Sequence, residues 1–198
     1  MSEKTNNSTV RTVFFGRESG YIAFILLSVP VIYLFGFRHM SFFRVPSASM
    51  EPTLMAGDHL ITLTADQYQR GEVVVTEDPE EEGAFIVKRI VAVSGDTVAV
   101  EGGALYVNGH YVSEPYVKTP PQYLMPPFKL PDGNVFLLGD NRNNSEDAHA
   151  WPDKAQPVDN IIGKVRFIYY PYERAGRFTH FALGGLGVIL AVGFVKCG

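Results

Sequence analysis

Residues 96–112 read DTVAVEGGALYVNGHYV, with Asn108-Gly109 standing between the apolar flanks Leu105-Tyr106-Val107 and Tyr111-Val112. A two-residue hairpin needs positive φ at its turn positions, which Asn and Gly adopt at least cost, so this stretch predicts two antiparallel strands. The same pattern extends in both directions. HLITLTA (59–65), GEVVVTE (71–77), AFIVKRIVAV (84–93), NVFLLGD (134–140) and IIGKVRFIYY (161–170) are rich in Val, Ile, Tyr and Phe, and Gly-Asp, Asn-Gly and Pro-Asp-Gly turns punctuate them. Residues 38–178 are therefore expected to form a mainly β, antiparallel domain. Residues 113–132 carry Pro115, Pro120, Pro121, Pro126, Pro127 and Pro131, and this stretch is expected to be a small excursion from the main sheet.

With 198 residues, 46% of them apolar and 19% charged, the chain can bury one sizeable core. Its formal charge of −4 comes without a basic block, which leaves no electrostatic footprint for nucleic acid. Cys197 is the only cysteine, and the five histidines have no short metal-ligand spacing, so neither a disulfide framework nor a metal site is expected. No cofactor is expected either.

Two apolar runs flank the β pattern. Gly20 to Phe37 passes 18 residues without a charge, long enough to span a bilayer, and no small-x-small cleavage pattern follows it. An uncleaved anchor over 20–37 is expected, kinked at Pro30, with residues 1–19 as a cytoplasmic tail. Residues 179–198 contain 15 uncharged positions, 181–195, four of them glycine. This segment is short for a span and is expected to insert beside the anchor, a re-entrant helix or a terminal core strand being the alternatives.

Three clusters inside the β region point to chemistry. PSASMEPTL (46–54) sets serines on a proline-bounded turn, where an arbitrary serine is simply a turn former. Lys88 interrupts the apolar strand 84–93, and burial of an ammonium favours the neutral amine, which is one way to obtain a base near neutral pH. GDNRNNSEDAHAW (139–151) packs donors and acceptors at the end of a strand. A turn serine, a strand lysine and a polar loop make up the parts of a Ser-Lys nucleophile pair.

In that order the clusters, with AGDHLIT after the first, resemble the four motifs of the bacterial type I signal peptidases, membrane-anchored Ser-Lys endopeptidases; the resemblance covers Val45 to about Pro171. It implies an antiparallel β-sheet catalytic domain of the signal-peptidase type, with Ser49 as nucleophile and Lys88 as general base. Ser47, with the Ser49 N–H, would form the oxyanion hole, and Ser145 would orient the lysine. Arg89, Asp140 and Asp147 would brace the site. Apolar pockets for small residues before the scissile bond would be lined by Val45, Met50, Leu54, Ile86 and Val87, for each of which core packing is the alternative. The implied partners are signal peptides of exported preproteins, the lipid bilayer and the protein export machinery. The implied location is the cytoplasmic membrane, with the β domain on its outer side.

The last motif departs from the family at Asn143, Ala148 and His149, where Asp, Ser and Arg are usual. Asp147 is expected to lose its customary arginine partner, and Pro152 after Trp151 is expected to alter loop closure. Rival readings are an inactive homologue, a Ser-Lys self-cleaving regulator of the LexA type, and a non-enzymatic membrane-tethered β module that binds partners.

Overall fold

A computed structural model describes residues 17–33 and 39–178 of the chain. It divides into a unit up to His39 and a unit from Met40 onward. The first contains α1 (Arg17–Ile32), which carries Pro30 in its last turn. Its apolar side chains, Phe24 and Leu27 among them, are exposed. Among the described residues no helix is long and apolar enough to cross a membrane. The expected anchor extends through residues 34–37, and the expected second membrane segment through 179–198; both stretches lie outside the described residues.

In the described part of the second unit every strand pairing is antiparallel. Its strands are β1 (Met40–Arg44), β2 (His59–Leu63), β3 (Val73–Glu77), β4 (Phe85–Val93), β5 (Thr97–Glu101), β6 (Ala104–Val107), β7 (His110–Tyr111), β8 (Met125–Lys129), β9 (Asn134–Leu138), β10 (Gln156–Pro157), β11 (Ile161–Tyr170) and β12 (Gly176–Arg177). The larger sheet runs β1-β2-β11-β3-β4-β9-β10 with β12 on β11, and the smaller runs β7-β6-β5-β8. At the predicted hairpin, Asn108 and Gly109 have φ of 55° and 76°. The Asn108 side chain accepts from the Thr97 N–H at 2.9 Å and donates to Asp96 at 2.8 Å.

The proline-rich excursion lies off the larger sheet but is not devoid of strand, because Met125–Lys129 pairs with β5. Pro126 and Pro127 are tolerated there since β8 is an edge and its register on β5 shifts between Phe128 and Met125, so the two prolines fall in the irregularity of the ladder. Apolar residues gather in two buried clusters. One holds Val74, Ile90, Phe136, Leu137 and Trp151, and the other holds Leu60, Val73, Val75, Val165 and Ile168. β4 lies between β3 and β9, and six consecutive residues, Val87 to Ala92, are buried. That placement carries Lys88 and Arg89 into the interior.

Where β11 crosses β2 the backbones approach closely. A Cβ placed on Gly163 would stand 2.8 Å from the Leu63 carbonyl oxygen, and main chain cannot step aside cheaply. Gly163→Ala should therefore destabilise the β unit by about 1–3 kcal/mol, as overpacking does, read as a lower midpoint in urea unfolding.

Candidate active site

β1 ends at Arg44, and the chain turns through residues 46–57 before β2. This turn is pinned by Val45 N–H to Asp58 O at 2.8 Å and Gly57 N–H to Val45 O at 2.9 Å. Asp58 itself is buried, accepts from the Met55 N–H at 2.9 Å and pairs with Arg174 at 2.9 Å. Met50 and Leu54, both fully buried, anchor the turn to the core. Ser49 is left half-buried beside exposed Ser47, whose hydroxyl donates to Ser49 Oγ at 3.3 Å.

Lys88 approaches from β4 and is only 4% exposed. Its Nζ donates to Ser145 Oγ at 2.9 Å. Burial lowers the lysine pKa below its ordinary value, opposed in part by the negative charges of Asp147, Asp78 and Glu146. The serine turn and Ser145, the hydroxyl that Lys88 bonds, meet at Gly139. A Cβ there would lie 2.5 Å from the Ser49 carbonyl oxygen, 2.6 Å from Ser145 Cβ and closer still to Ser145 Oγ. No side chain fits that gap. The following residue but one closes the junction, with Asn141 N–H donating to Ser49 O at 3.0 Å and its side-chain amide to Ala48 O at 3.1 Å.

Behind this junction lies a buried ion pair. Arg89 Nε and Nη2 donate to the two oxygens of Asp140 at 2.7 and 2.6 Å, and Nη1 donates to Gly71 O at 2.6 Å. Both side chains are at most 1% exposed. The Thr53 hydroxyl also donates to Asp140, which ties the ion pair to the serine turn. Tyr116 covers the opposite side, its ring 3.8 Å from the Arg89 guanidinium carbon.

The last motif closes around a partner that the sequence reading did not name. Asp147 does not lack a partner: Nδ1 of His149 is 2.6 Å from its Oδ1, while Oδ2 accepts from the Gly139 N–H at 2.8 Å. The imidazole reaches because the backbone turns tightly here, with Ala150 N–H on Asp147 O at 2.8 Å, and because Tyr123 stacks on the ring at 3.9 Å. Pro152 does not prevent closure, since the Trp151 N–H also bonds Asp147 O, at 3.0 Å. Ala148 packs into the core where a hydroxyl would need a partner.

The five residues expected to line substrate pockets separate into two groups. Val45, Met50, Leu54 and Val87 belong to one buried cluster, and Ile86 packs partly buried against the other. Val45 also lines a surface cleft of about 380 Å³ with Arg44, Pro46, Ala56 and Gly57. Sequence reading missed Thr53, Glu114, Tyr116 and Arg142. Arg142, fully buried, pairs with Glu114 at 2.5 Å and donates to Gly139 O at 3.1 Å. Among the described residues no group of three or more His, Cys, Asp or Glu is placed to hold a metal.

Arg89→Ala would leave the Asp140 carboxylate buried without its cation. Loss of about 3–5 kcal/mol is expected from breaking such a pair, and chemical denaturation of the variant against the parent chain measures it.

Comparison with known proteins adds an independent line. Residues 19–170 match the family described as "Signal peptidase, peptidase S26". The chain is 39% identical over 148 residues to "Probable signal peptidase I-1" of Synechocystis sp., covering 69% of this chain and 74% of that protein. To signal peptidase I of Leptolyngbya laminosa it is 38% identical over 144 residues, covering 67% and 70% of the two chains. Signal peptidase I of Bacillus licheniformis is 29% identical over 190 residues, 87% of this chain and 97% of that one. The serine turn, the strand lysine and the closing polar loop all fall inside the matched span, and the chain belongs to the S26 signal peptidase family.

Proposed function

We propose that Ser49 is the nucleophile and Lys88 the general base of a peptide-bond hydrolysis at the junction around Gly139. As a member of the S26 family the chain is a serine endopeptidase that removes signal peptides from exported preproteins. The observation that carries the residue assignment is the buried Lys88, with its pKa lowered by desolvation and its Nζ directed at Ser145.

In the neutral amine, one N–H donates to Ser145 Oγ, which stops rotation about the last side-chain bond and leaves the lone pair available to the serine turn. Lys88 takes the proton from Ser49 as its oxygen attacks the carbonyl carbon of the scissile bond. The resulting oxyanion is met by the Ser47 hydroxyl and the Ser49 N–H. Collapse breaks the C–N bond as the Lys88 ammonium returns its proton to the leaving amine, the new N-terminus of the mature protein. Water, deprotonated by Lys88, then hydrolyses the acyl-enzyme and frees Ser49. Ser145 orients the lysine; Arg89, Asp140 and Asp147 hold the loop that carries it.

The apolar residues Val45, Met50, Leu54, Ile86 and Val87 set the preference for small side chains before the scissile bond, mostly as the packed wall behind the substrate. Residues 20–37 anchor the chain in the cytoplasmic membrane with residues 1–19 inside, and 179–198 supply a second apolar segment. The β unit then works on the outer side, next to the lipid surface and the export machinery. The charge-free run and the exposed apolar side chains of α1 support this topology.

Ser49→Ala and Lys88→Ala should each abolish cleavage of a preprotein in detergent, and the double variant should be no worse than either, because the two groups act as one unit. Near-parental turnover by Lys88→Ala would refute the assignment. The pH profile tests the same base. Only the neutral amine accepts a proton, so the rate should rise with pH through the lowered Lys88 pKa and level off below 10.5, the ordinary lysine value. A rate still climbing beyond that value would show that the titrating lysine is not a buried one.

A further inference from the structure

The proline-rich strap 113–122 is fastened to the loop of the last motif at both ends. Near its start, Glu114 holds Arg142 through bonds of 2.5 and 2.6 Å, and Tyr116 lies under Arg89. Near its end, the Asn143 side chain donates to Pro120 O at 2.9 Å and accepts from the Gln122 N–H at 2.8 Å. An aspartate at 143 could not make the first of these bonds while ionised, so Asn143 acts as a two-sided clamp. Between the fastenings, Lys118 and Thr119 form an exposed arch.

Under that arch is a cleft of about 320 Å³, lined by Lys118 and Thr119 on one side and by Glu51, Pro52, Met55 and Asn141 on the other. Its volume is within the usual range for ligand clefts, about 300–1,000 Å³. It adjoins the nucleophile turn, since Asn141 bonds the carbonyls of Ala48 and Ser49. Two clefts thus border the turn that carries Ser49. One is lined by its two ends, Arg44 to Pro46 with Ala56 and Gly57, and the other by Glu51, Pro52 and Met55 from its middle together with Asn141 and the strap.

We infer that the strap cleft receives the first residues of the mature protein, those just after the scissile bond, and that Lys118 gives this subsite a preference for an acidic side chain. This rests on the reading of Ser49 as nucleophile. The signal-peptide side is then assigned to the Val45 wall, and an extended chain advancing about 3.3 Å per residue must leave past Ser49 on the other side. Two fastenings pre-form the cleft, so little ordering is needed when a peptide enters. The Lys118 ammonium is exposed and has no ion-pair partner among the described residues, whereas Glu51 is partly covered. An incoming carboxylate meets the ammonium first.

The test uses the full chain in detergent with preproteins that share one signal peptide and differ by Asp or Lys at the second residue after the cleavage site. The parent should prefer Asp in kcat/KM, and Lys118→Glu should reverse the ratio, a total swing of about threefold to tenfold for an exposed charge pair. Because both substrates are cut by the same preparation, partial misfolding of the variant cancels in the ratio. A parental preference for Lys would assign the subsite to Glu51 and overturn the inference, as would a ratio unmoved by Lys118→Glu. So would an effect of Lys118→Glu confined to charges placed before the scissile bond. If the parent cuts neither preprotein, the reading of Ser49 falls, and the inference with it.

Discussion

The ion pair between Arg89 and Asp140 is the constraint on which the rest of the β unit depends. Two opposite charges taken out of water at such cost are held only if every remaining donor and acceptor finds a partner. Gly71 O takes the third guanidinium bond, Thr53 completes Asp140, and the Tyr116 ring faces the cation. Each of these partners comes from a different part of the chain: the turn before β3, the serine turn and the strap. Satisfying one buried charge thereby fixes three segments relative to β4, and with them the distance between the serine turn and Lys88.

Next to it, Lys88 is treated in the opposite way. Its neighbour Arg89 is matched by a bidentate carboxylate, but Lys88 receives a neutral hydroxyl, Ser145, and more distant acids. A matched partner stabilises the charged form of a cation, and a hydroxyl does so far less. Adjacent residues on one strand are thus matched differently: the guanidinium of Arg89 meets a carboxylate, while Lys88, whose burial favours the neutral amine, meets only a hydroxyl. His149 serves the same loop by holding Asp147 against the Gly139 N–H, a task that needs a ring of suitable reach more than it needs a guanidinium.

Much of this was legible in the sequence, and what was not has a common cause. β11 and the Asn108-Gly109 hairpin could be read directly, because a long β-branched run and a positive-φ turn are local signals. β8 could not, since Pro126-Pro127 reads as a break unless the strand is known to be an edge. Lys88 stood out as a lysine on an apolar strand, whereas Ser49 and Ser145 were singled out by the resemblance of their motifs to the signal peptidases. Thr53, Glu114 and Tyr116 did not, because an ordinary threonine, glutamate or tyrosine acquires its meaning only from a partner distant in sequence: Thr53 from Asp140, 87 positions away, and Glu114 from Arg142, 28 away. The partner that Asp147 takes in place of the usual arginine was not foreseen for a related reason. It is two residues along, but only the turn geometry shows that the ring swings back.

The order of strands in the larger sheet carries a consequence for biosynthesis. β11 lies between β2 and β3, so the ladder joining the half that bears the serine turn to the half that bears Lys88 is completed by residues 161–170. Until that late segment has emerged and slotted between β1-β2 and β3-β4, no continuous sheet connects the serine turn with Lys88, and closing such distant contacts is the slow part of assembling a β protein. The two parts of the larger sheet are in this way made separately and joined late: the serine turn and Lys88 share one hydrogen-bonded sheet only after residues 161–170 have been synthesised.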